Sequence, residues 1–223
     1  MSVSHSRRQY VIATVGGLVA VTTRPAAACI EFLTTEHGPF YPQHSVVPER
    51  FDLTRVEPDA ATATGDLIHV GGRVLDHDCN QLDDAWITIW QADRNGQYKH
   101  EFLDNADQLD QNFGYFGRAL AIGGTYRFKT IRPAPYSFAG LNRARHIHFE
   151  ISHPKLGRAT TEMYFGGRKE DQRRRGDEVW LERDSRLRAS LIRSPLDPTE
   201  RSSGGIKFPD DDLPAYRFDL QIA

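Results

Sequence analysis

The sequence predicts an all-β fold, an antiparallel β-sandwich with long loops and one short helix near the C-terminus. Stretches rich in β-forming residues follow one another from Leu67 onward. Several show a two-residue alternation, as where Tyr126 and Phe128 alternate with the cations Arg127 and Lys129. Gly and Pro turn signals separate these stretches, which is typical of a sandwich. Apolar residues recur at helical spacing in one stretch, from Asp177 to Arg193.

Four stretches carry the strand prediction: Leu67–Leu75, Ala85–Trp90, Tyr126–Thr130 and Tyr216–Leu220. The Gly71-Gly72 pair in the first stretch indicates a bulge or the close approach of another backbone. The second stretch runs into Asp93-Arg94-Asn95-Gly96. That tetrapeptide predicts a tight hairpin turn, because Asn-Gly accommodates positive φ angles.

Three segments divide the chain. Residues 1–28 resemble a twin-arginine signal peptide, with Arg7-Arg8, a short apolar run and the small residues Ala26-Ala27-Ala28 before a cleavage point. Residues 29–66 form an irregular N-terminal arm, interrupted by Gly38-Pro39 and Pro48. Residues 67–223 form the β-sandwich domain. We therefore expect a periplasmic or secreted protein without a membrane span, since the apolar run is too short to cross a bilayer.

The composition is that of an ordinary globular protein, with 39% hydrophobic and 26% charged residues. A net charge of −2 gives no reason to expect nucleic acid as a partner. The Arg173-Arg174-Arg175 run lies among acidic residues and is interpreted as solvated surface. A Gly-rich phosphate loop, a G-x-S-x-G motif and a CxxC pair are all absent from the sequence.

The chain contains two cysteines, Cys29 and Cys79. In an oxidising compartment an even number of cysteines favours a disulfide, so we expect these two to pair. Cys29 directly follows three alanines, and the alternative is a lipid anchor on its thiol. The leucine that usually stands three residues before a lipidated cysteine is absent, which favours the disulfide.

Two histidines, His146 and His148, stand two residues apart in a predicted strand. Alternate residues of a strand face the same side, so both imidazoles can bind one metal ion while Ile147 and Phe149 point into the core. The same pattern also occurs in surface and core histidines that bind no metal. The pair is therefore a candidate metal site that needs further donors.

Tyr98 and Tyr136 precede the histidine pair along the chain. A phenolate is a hard anionic oxygen donor and an imidazole is a borderline nitrogen donor. A donor set of two phenolates and two imidazoles favours ferric iron over zinc or cuprous copper. Coordination would remove each phenol proton despite a free pKa of about 10. Fe(3+) is thus the expected cofactor if all four side chains meet, and zinc or copper on His146 and His148 alone is the alternative.

Several short sequence motifs are distributed over nearly the whole of residues 29–223, in the order in which they occur in one known family. They include His-Gly-Pro-Phe-Tyr-Pro at 37–42 and Arg-Ala-Arg-His-Ile-His-Phe at 143–149, with further matching segments at 72–76, 89–98, 125–133, 135–136 and 215–219. In these motifs the chain resembles the intradiol ring-cleavage dioxygenases, the family of protocatechuate 3,4-dioxygenase and catechol 1,2-dioxygenase.

The resemblance implies a non-haem ferric ion with four protein ligands, Tyr98, Tyr136, His146 and His148. It implies that Tyr136 also helps to take up a catechol proton, and that Arg143 stabilises negative charge on the bound substrate. The implied reaction inserts O2 between the two hydroxyl-bearing carbons of a catecholic ring and gives a cis,cis-muconate-type diacid. The expected partners are thus a catechol-type small molecule and O2.

Substrate specificity is expected to depend on Phe40, Tyr41, Phe138 and Glu162. Glu162 stands where the family often has glutamine, and a carboxylate there would disfavour acidic substrates. An exposed strand glutamate without such a role is the alternative interpretation. Ser137-Phe138 also departs from the family pattern, so the sequence does not identify the catechol derivative.

Secreted members of the family resemble this chain in having cysteines at places comparable to Cys29 and Cys79, which supports both the disulfide and export. A homo-oligomer is compatible with the sequence. An exported β-sandwich binding module, with the same scaffold but without turnover, is the alternative to an enzyme.

Overall fold

The computed structural model describes residues 34–42, 46–203 and 205–222. The predicted signal peptide and Cys29 lie outside these residues. The described strands are β1 (Leu67–Leu75), β2 (Trp86–Trp90), β3 (Phe116–Leu120), β4 (Thr125–Ile131), β5 (Tyr136–Phe138), β6 (Leu141–Arg143), β7 (His146–His153), β8 (Gly157–Phe165), β9 (Ile192–Arg193), β10 (Ala215–Arg217) and β11 (Leu220–Gln221). The described helices are α1 (Arg168–Arg174), α2 (Glu178–Leu181), α3 (Ser185–Leu191) and a 3-10 turn at Pro198–Glu200. None of them has the length and apolar character that a membrane crossing requires.

Two sheets share one apolar core. One has the strand order β3-β2-β7-β8-β9, and in the other β1 pairs with β4 on one edge and with β10 and β11 on the opposite edge. Phe149 of β7 contacts Tyr126 of β4 and Phe218, with ring centroids 6.1 and 5.1 Å apart. Leu53, from the predicted N-terminal arm, is buried in the same core. The β-rich prediction is therefore confirmed, whereas the predicted domain boundaries stay predictions.

The strands do not all run antiparallel. β10 and β11 run parallel to β1, and β9 runs parallel to β8, so the sheets are mixed. The prediction of a wholly antiparallel sandwich is wrong in this respect. Alternation along a strand reports which face a side chain occupies and carries no information about the direction of the neighbouring strand.

The glycine pair in β1 marks a close backbone approach. A Cβ at Gly72 would lie 2.2 Å from the carbonyl oxygen of Phe218, and a Cβ at Gly71 would lie 2.6 Å from that of Tyr126. Glycine at both positions therefore allows β4 and the C-terminal segment to lie against β1, as the sequence indicated.

The helical segment also differs from its prediction. The one helix expected over Asp177–Arg193 is two short helices, α2 and α3, and α1 precedes them. Asp177 caps α2 by accepting from Trp180 N, and Asp184 caps α3 by accepting two backbone N–H groups of its first turn. A capping aspartate inside the apolar pattern begins a new helix at Asp184 instead of continuing the first.

The Asp93–Gly96 turn forms, but it does not connect a hairpin. β2 pairs with β3 and β7, and the residues directly after Gly96 form no strand. Asp93 Oδ1 accepts from Asn95 N at 2.8 Å and from Gln97 N at 3.0 Å, and Gly96 has φ 82°. These bonds hold the loop that leads directly into Tyr98.

Cys79 lies shortly after β1 and has φ 69°. It is disulfide-bonded. Its predicted partner Cys29 falls outside the described residues, so the Cys29–Cys79 pair stays a prediction.

Candidate metal centre and substrate pocket

His146 and His148 lie on β7 with their Nε2 atoms 3.1 Å apart. β7 lies between β2 and β8, and both imidazoles are buried on the face opposite to Ile147 and Phe149. Two nitrogens bound to one ion at about 2.1 Å and at a right angle would stand about 3 Å apart. The pair is therefore spaced as two ligands of a single ion.

Burial prepares both imidazoles to bind a cation, and a hydrogen bond orients His146. His146 Nδ1 lies 2.7 Å from the carbonyl oxygen of Ala144, to which it can only donate, so its Nε2 carries a lone pair. His148 Nδ1 lies 3.4 Å from Glu162 Oε1. Burial lowers the pKa of His148 to about 4 and the pKa of His146 well below its ordinary value. Both rings are therefore neutral at pH 7, and a cation between their Nε2 atoms would be stabilised.

The two tyrosines reach the same point from separate segments, a loop and the start of β5. The Tyr98 and Tyr136 ring centroids are 5.2 Å apart. Tyr136 lies 5.7 Å from His146, and Tyr98 lies 6.4 Å from His148, again between ring centroids. The structure therefore brings together all four side chains that the sequence predicts as metal ligands.

The hydroxyl of Tyr98 tests whether this set suits a metal ion. It is buried and makes no hydrogen bond of standard geometry with the described residues, although the Tyr136 phenol is near enough to affect its pKa, and an unsatisfied buried hydroxyl costs about 1–3 kcal/mol. Burial raises the pKa of Tyr98 well above its ordinary value and that of Tyr136 to about 12. Neither phenol ionises by itself near neutral pH, whereas a trivalent cation would stabilise both phenolates. Two oxygen and two nitrogen donors thus fit ferric iron.

Two residues to which the sequence assigned no role fix the position of His148. The indole of Trp90 on β2 stacks on the imidazole, with centroids 4.8 Å apart and planes within 2° of parallel. Gly38 approaches the same ring, because a Cβ there would lie 3.3 Å from His148 Cε1. Both residues fall in the motifs that carry the family resemblance, but their contact with His148 becomes visible only in the fold.

Glu162 is buried beside this ring and is not an exposed strand residue. Its carboxylate accepts hydrogen bonds from Arg143 Nη2 at 3.2 Å, from Arg183 Nη2 at 2.7 Å and from the Tyr164 hydroxyl at 3.0 Å. Burial alone would raise the pKa of Glu162, but the neighbouring imidazoles and the two guanidiniums hold it below its ordinary range. Glu162 is therefore a carboxylate at neutral pH.

His146, His148 and Glu162 also qualify geometrically as a three-residue metal group, since one ligand atom from each lies within 4.8 Å of the others. Glu162, however, is 3.4 Å from His148 Nδ1, on the side of the ring away from Nε2. Its oxygens already accept from two arginines and a tyrosine. We therefore assign Glu162 to orienting His148, not to binding the ion.

Arg143 is buried between two carboxylates. It is paired with Tyr136 across the β5–β6 hairpin, whose turn residues Ala139-Gly140 both have positive φ. Its Nε lies 3.4 Å from Asp177 Oδ1, and its Nη2 binds Glu162. Burial alone would lower the pKa of Arg143, but these carboxylates raise it, so the guanidinium is a permanent cation.

A cavity of about 430 Å³ lies beside this centre and reaches it at Tyr136, the proposed ligand among its lining residues. Phe138 and Glu162, two of the predicted substrate-binding residues, line it together with Tyr136 and Arg143. Phe40 and Tyr41, the other two, do not: Phe40 stacks on Tyr98 with ring centroids 4.4 Å apart, and the Tyr41 hydroxyl donates to Glu150 at 3.0 Å in a neighbouring cavity. Much of the remaining wall comes from α2, α3 and the turn between them, and includes Val179, Glu182, Arg183 and Leu187.

A family model described as dioxygenase matches residues 36–173. The protocatechuate 3,4-dioxygenase beta chain of Burkholderia cepacia is 34% identical over 150 residues, which are 65% of this chain and 64% of that protein. Hydroxyquinol 1,2-dioxygenase of Rhodococcus opacus is 27% identical over 207 residues, 85% of this chain and 63% of that protein. The chain therefore spans less than two thirds of the length of these relatives.

Solved structures show the same fold. A catechol 1,2-dioxygenase from an Acinetobacter species superposes with a TM-score of 0.62 at 22% identity, covering 86% of this chain and 63% of that one. The dioxygenase domain of a carbohydrate-binding fusion protein from a Streptomyces species gives a TM-score of 0.56 at 23% identity, covering 85% and 96%. At these identities the likeness concerns the fold alone.

Proposed function

The chain belongs to the dioxygenase family of intradiol ring-cleavage enzymes, and we propose that it is a non-haem Fe(III) enzyme that cleaves a catecholic ring between its two hydroxyl-bearing carbons. The proposal depends on one observation, the convergence of the unpartnered Tyr98 hydroxyl with Tyr136 and the paired Nε2 atoms of His146 and His148. Relatives named for protocatechuate, hydroxyquinol and catechol support a catecholic substrate.

The proposed reaction adds both atoms of O2 to the substrate. The bond between the two diol carbons breaks, each carbon becomes a carboxyl carbon, and the product is a cis,cis-muconate-type diacid. The atoms of catechol and O2 together equal those of the diacid, so the reaction needs no further reductant. A ferric ion held by the four ligands would supply Lewis acidity toward the diol oxygens and redox chemistry toward O2.

Two residues of the cavity would act on the substrate directly. Tyr136 lines the cavity and is only partly buried, so its phenolate would be placed to accept a proton from a catechol hydroxyl. Arg143, paired with it across the hairpin, is placed to stabilise the negative charge that this proton transfer leaves on the substrate. Trp90 and Glu162 keep His148 oriented while this happens.

The test compares the iron-loaded protein with two tyrosine variants. The parent protein should be burgundy from tyrosinate-to-iron charge transfer and should consume O2 when catechol is added. Tyr98→Phe should weaken the colour, iron retention and O2 uptake together. Tyr126→Phe is the matched control, since Tyr126 is equally buried but its hydroxyl donates to the carbonyl oxygen of Phe218.

Other outcomes would identify the alternatives. A colourless protein that retains full iron would contradict phenolate ligation. Unchanged metal content in both Tyr98→Phe and Tyr136→Phe would indicate a zinc or copper site made by the two histidines alone. Catechol binding without O2 uptake would indicate a binding module.

We also propose that residues 1–28 export the protein to the periplasm. The disulfide-bonded state of Cys79 supports this, because disulfides persist in oxidising compartments. Replacing Arg7 and Arg8 by lysine should leave the protein in the cytoplasm, as judged by cell fractionation. Periplasmic recovery of that variant at the parent level would contradict a twin-arginine route.

A further inference from the structure

The cavity beside the metal centre holds more negative than positive charge. Its described lining residues include three carboxylates, Glu36, Glu162 and Glu182, and two guanidiniums, Arg143 and Arg183. We propose, on the basis of the proposed function, that this cavity selects catechols with an uncharged, apolar ring substituent and discriminates against catechols that carry a ring carboxylate.

Both guanidiniums are already paired with Glu162, so much of their positive charge is neutralised before a substrate carboxylate arrives. Arg183 Nη2 lies 2.7 Å from Glu162 Oε2, and Arg143 Nη2 lies 3.2 Å from both Glu162 oxygens. Arg143 also has Asp177 at 3.4 Å from its Nε. A ring carboxylate that took the guanidinium groups away from Glu162 would leave that buried carboxylate without its partners.

The mouth of the cavity adds further negative charge. Glu36 and Glu182 are both exposed, whereas Glu162 is buried, so the first two lie at the solvent side of the cavity. At an effective dielectric near 20, one like charge about 10 Å away lowers the affinity for an anion roughly tenfold. Salt screening reduces this effect at the exposed positions. The charge arrangement therefore opposes an acidic ring both at entry and at its final position.

The remaining walls are suited to an apolar substituent. Four apolar side chains line the cavity: Phe138, Leu141, Val179 and Leu187. Each methylene that a substituent buries there raises affinity roughly fourfold. An alkyl or aryl group on the ring thus gains contact where a carboxylate would be repelled.

The experiment compares 4-methylcatechol with protocatechuate, which differ in a methyl group against a carboxylate at the same ring position. We expect the parent enzyme to have a kcat/KM at least tenfold higher for 4-methylcatechol. The Glu36→Gln, Glu182→Gln double variant should raise the ratio of kcat/KM for protocatechuate to kcat/KM for 4-methylcatechol several-fold. Glu57→Gln, an exposed glutamate outside this cavity, should change neither value.

A second comparison tests the apolar walls with catechol and 4-propylcatechol. Leu141→Ser alters an exposed hairpin residue that lines the cavity, and it should reduce the advantage of the propyl compound. Equal or better use of protocatechuate by the parent enzyme would overturn the inference, and so would an unchanged substrate ratio in the double variant. Failure to turn over either diol would instead refute the proposed function, and the dissociation constants of the same two compounds would then decide the inference.

Discussion

Replacement of Asp177 by alanine should weaken the link between the helical segment and the metal-binding strand. The Asp177 side chain is fully buried and accepts hydrogen bonds from Ala144 N at 2.7 Å and from Trp180 N at 2.9 Å. Its Oδ1 also lies 3.4 Å from Arg143 Nε. One carboxylate therefore caps α2, binds the backbone two residues before His146, and pairs with the proposed catalytic arginine.

The expected loss follows from these contacts. Removing the cap costs about 1 kcal/mol. The buried N–H of Ala144 is left without an acceptor, which costs a further 1–3 kcal/mol or so. Arg143 keeps Glu162 as a partner, so its charge is not stranded. We expect a decrease of about 3 kcal/mol in the free energy of unfolding, equivalent to roughly 6–12 °C in Tm for a domain of this size.

Urea denaturation of the metal-free protein measures this change, and visible absorbance of the iron-loaded variant reports whether the ligands still meet. Asp184→Ala is the matched control, because Asp184 caps α3 in the same way but is exposed and accepts these hydrogen bonds from α3 itself. Its effect should be much smaller and should leave the absorbance intact. Equal losses in the two variants, or a change below about 1 kcal/mol for Asp177→Ala, would show that the reasoning is wrong.

Three further predictions concern the metal site and the core. The pKa of His148 is about 4 in the folded protein and near 6.5 when unfolded, so the unfolded chain binds more protons between these values. Urea titrations of the metal-free protein should therefore show stability falling as the pH decreases from about 6.5 to about 4, and His148→Gln should reduce the slope. Because the phenols are protonated until they bind metal, Tyr98→Phe should release one proton fewer per ferric ion, as measured with a pH indicator, and an unchanged count would exclude Tyr98 as a ligand. Gly72→Ala should prevent or strongly weaken folding, since its Cβ would lie 2.2 Å from a carbonyl oxygen, whereas Gly176→Ala, with 3.7 Å of clearance, should unfold at nearly the parent urea concentration.

The sequence predicted best what depends on a single strand. Leu67–Leu75 forms β1 over the predicted residues, and the glycine pair within it marks a close approach. His146 and His148 share one face of β7 because that relation depends only on the alternation of a strand. The face of β7 that carries the histidines is buried as well as the face that points into the core. This second burial depends on a neighbouring layer of residues, about which alternation along one strand carries no information.

The sequence did not predict relations between distant segments. Arg183 stands in the turn between α2 and α3 and reaches Glu162 on β8, a contact that depends on where Asp184 interrupts the helix. Tyr41 was predicted to bind substrate, yet its hydroxyl faces Glu150 in the neighbouring cavity. Both results depend on how loops cross the edge of the sheet, and residue type alone does not determine such paths.

The four proposed ligands are not held equally firmly. His146 and His148 belong to a strand with partners on both sides, and Tyr98 is buried at the end of a loop that Asp93 holds by two hydrogen bonds. Tyr136 belongs to a three-residue strand that pairs only with β6 among the described strands, and its ring is partly exposed to the cavity. Moving its side chain would enlarge the cavity through which, under the proposed function, a catechol would enter. Under the proposed function, Tyr136 would therefore be the ligand that gives way to a substrate oxygen, while the other three would keep the site assembled.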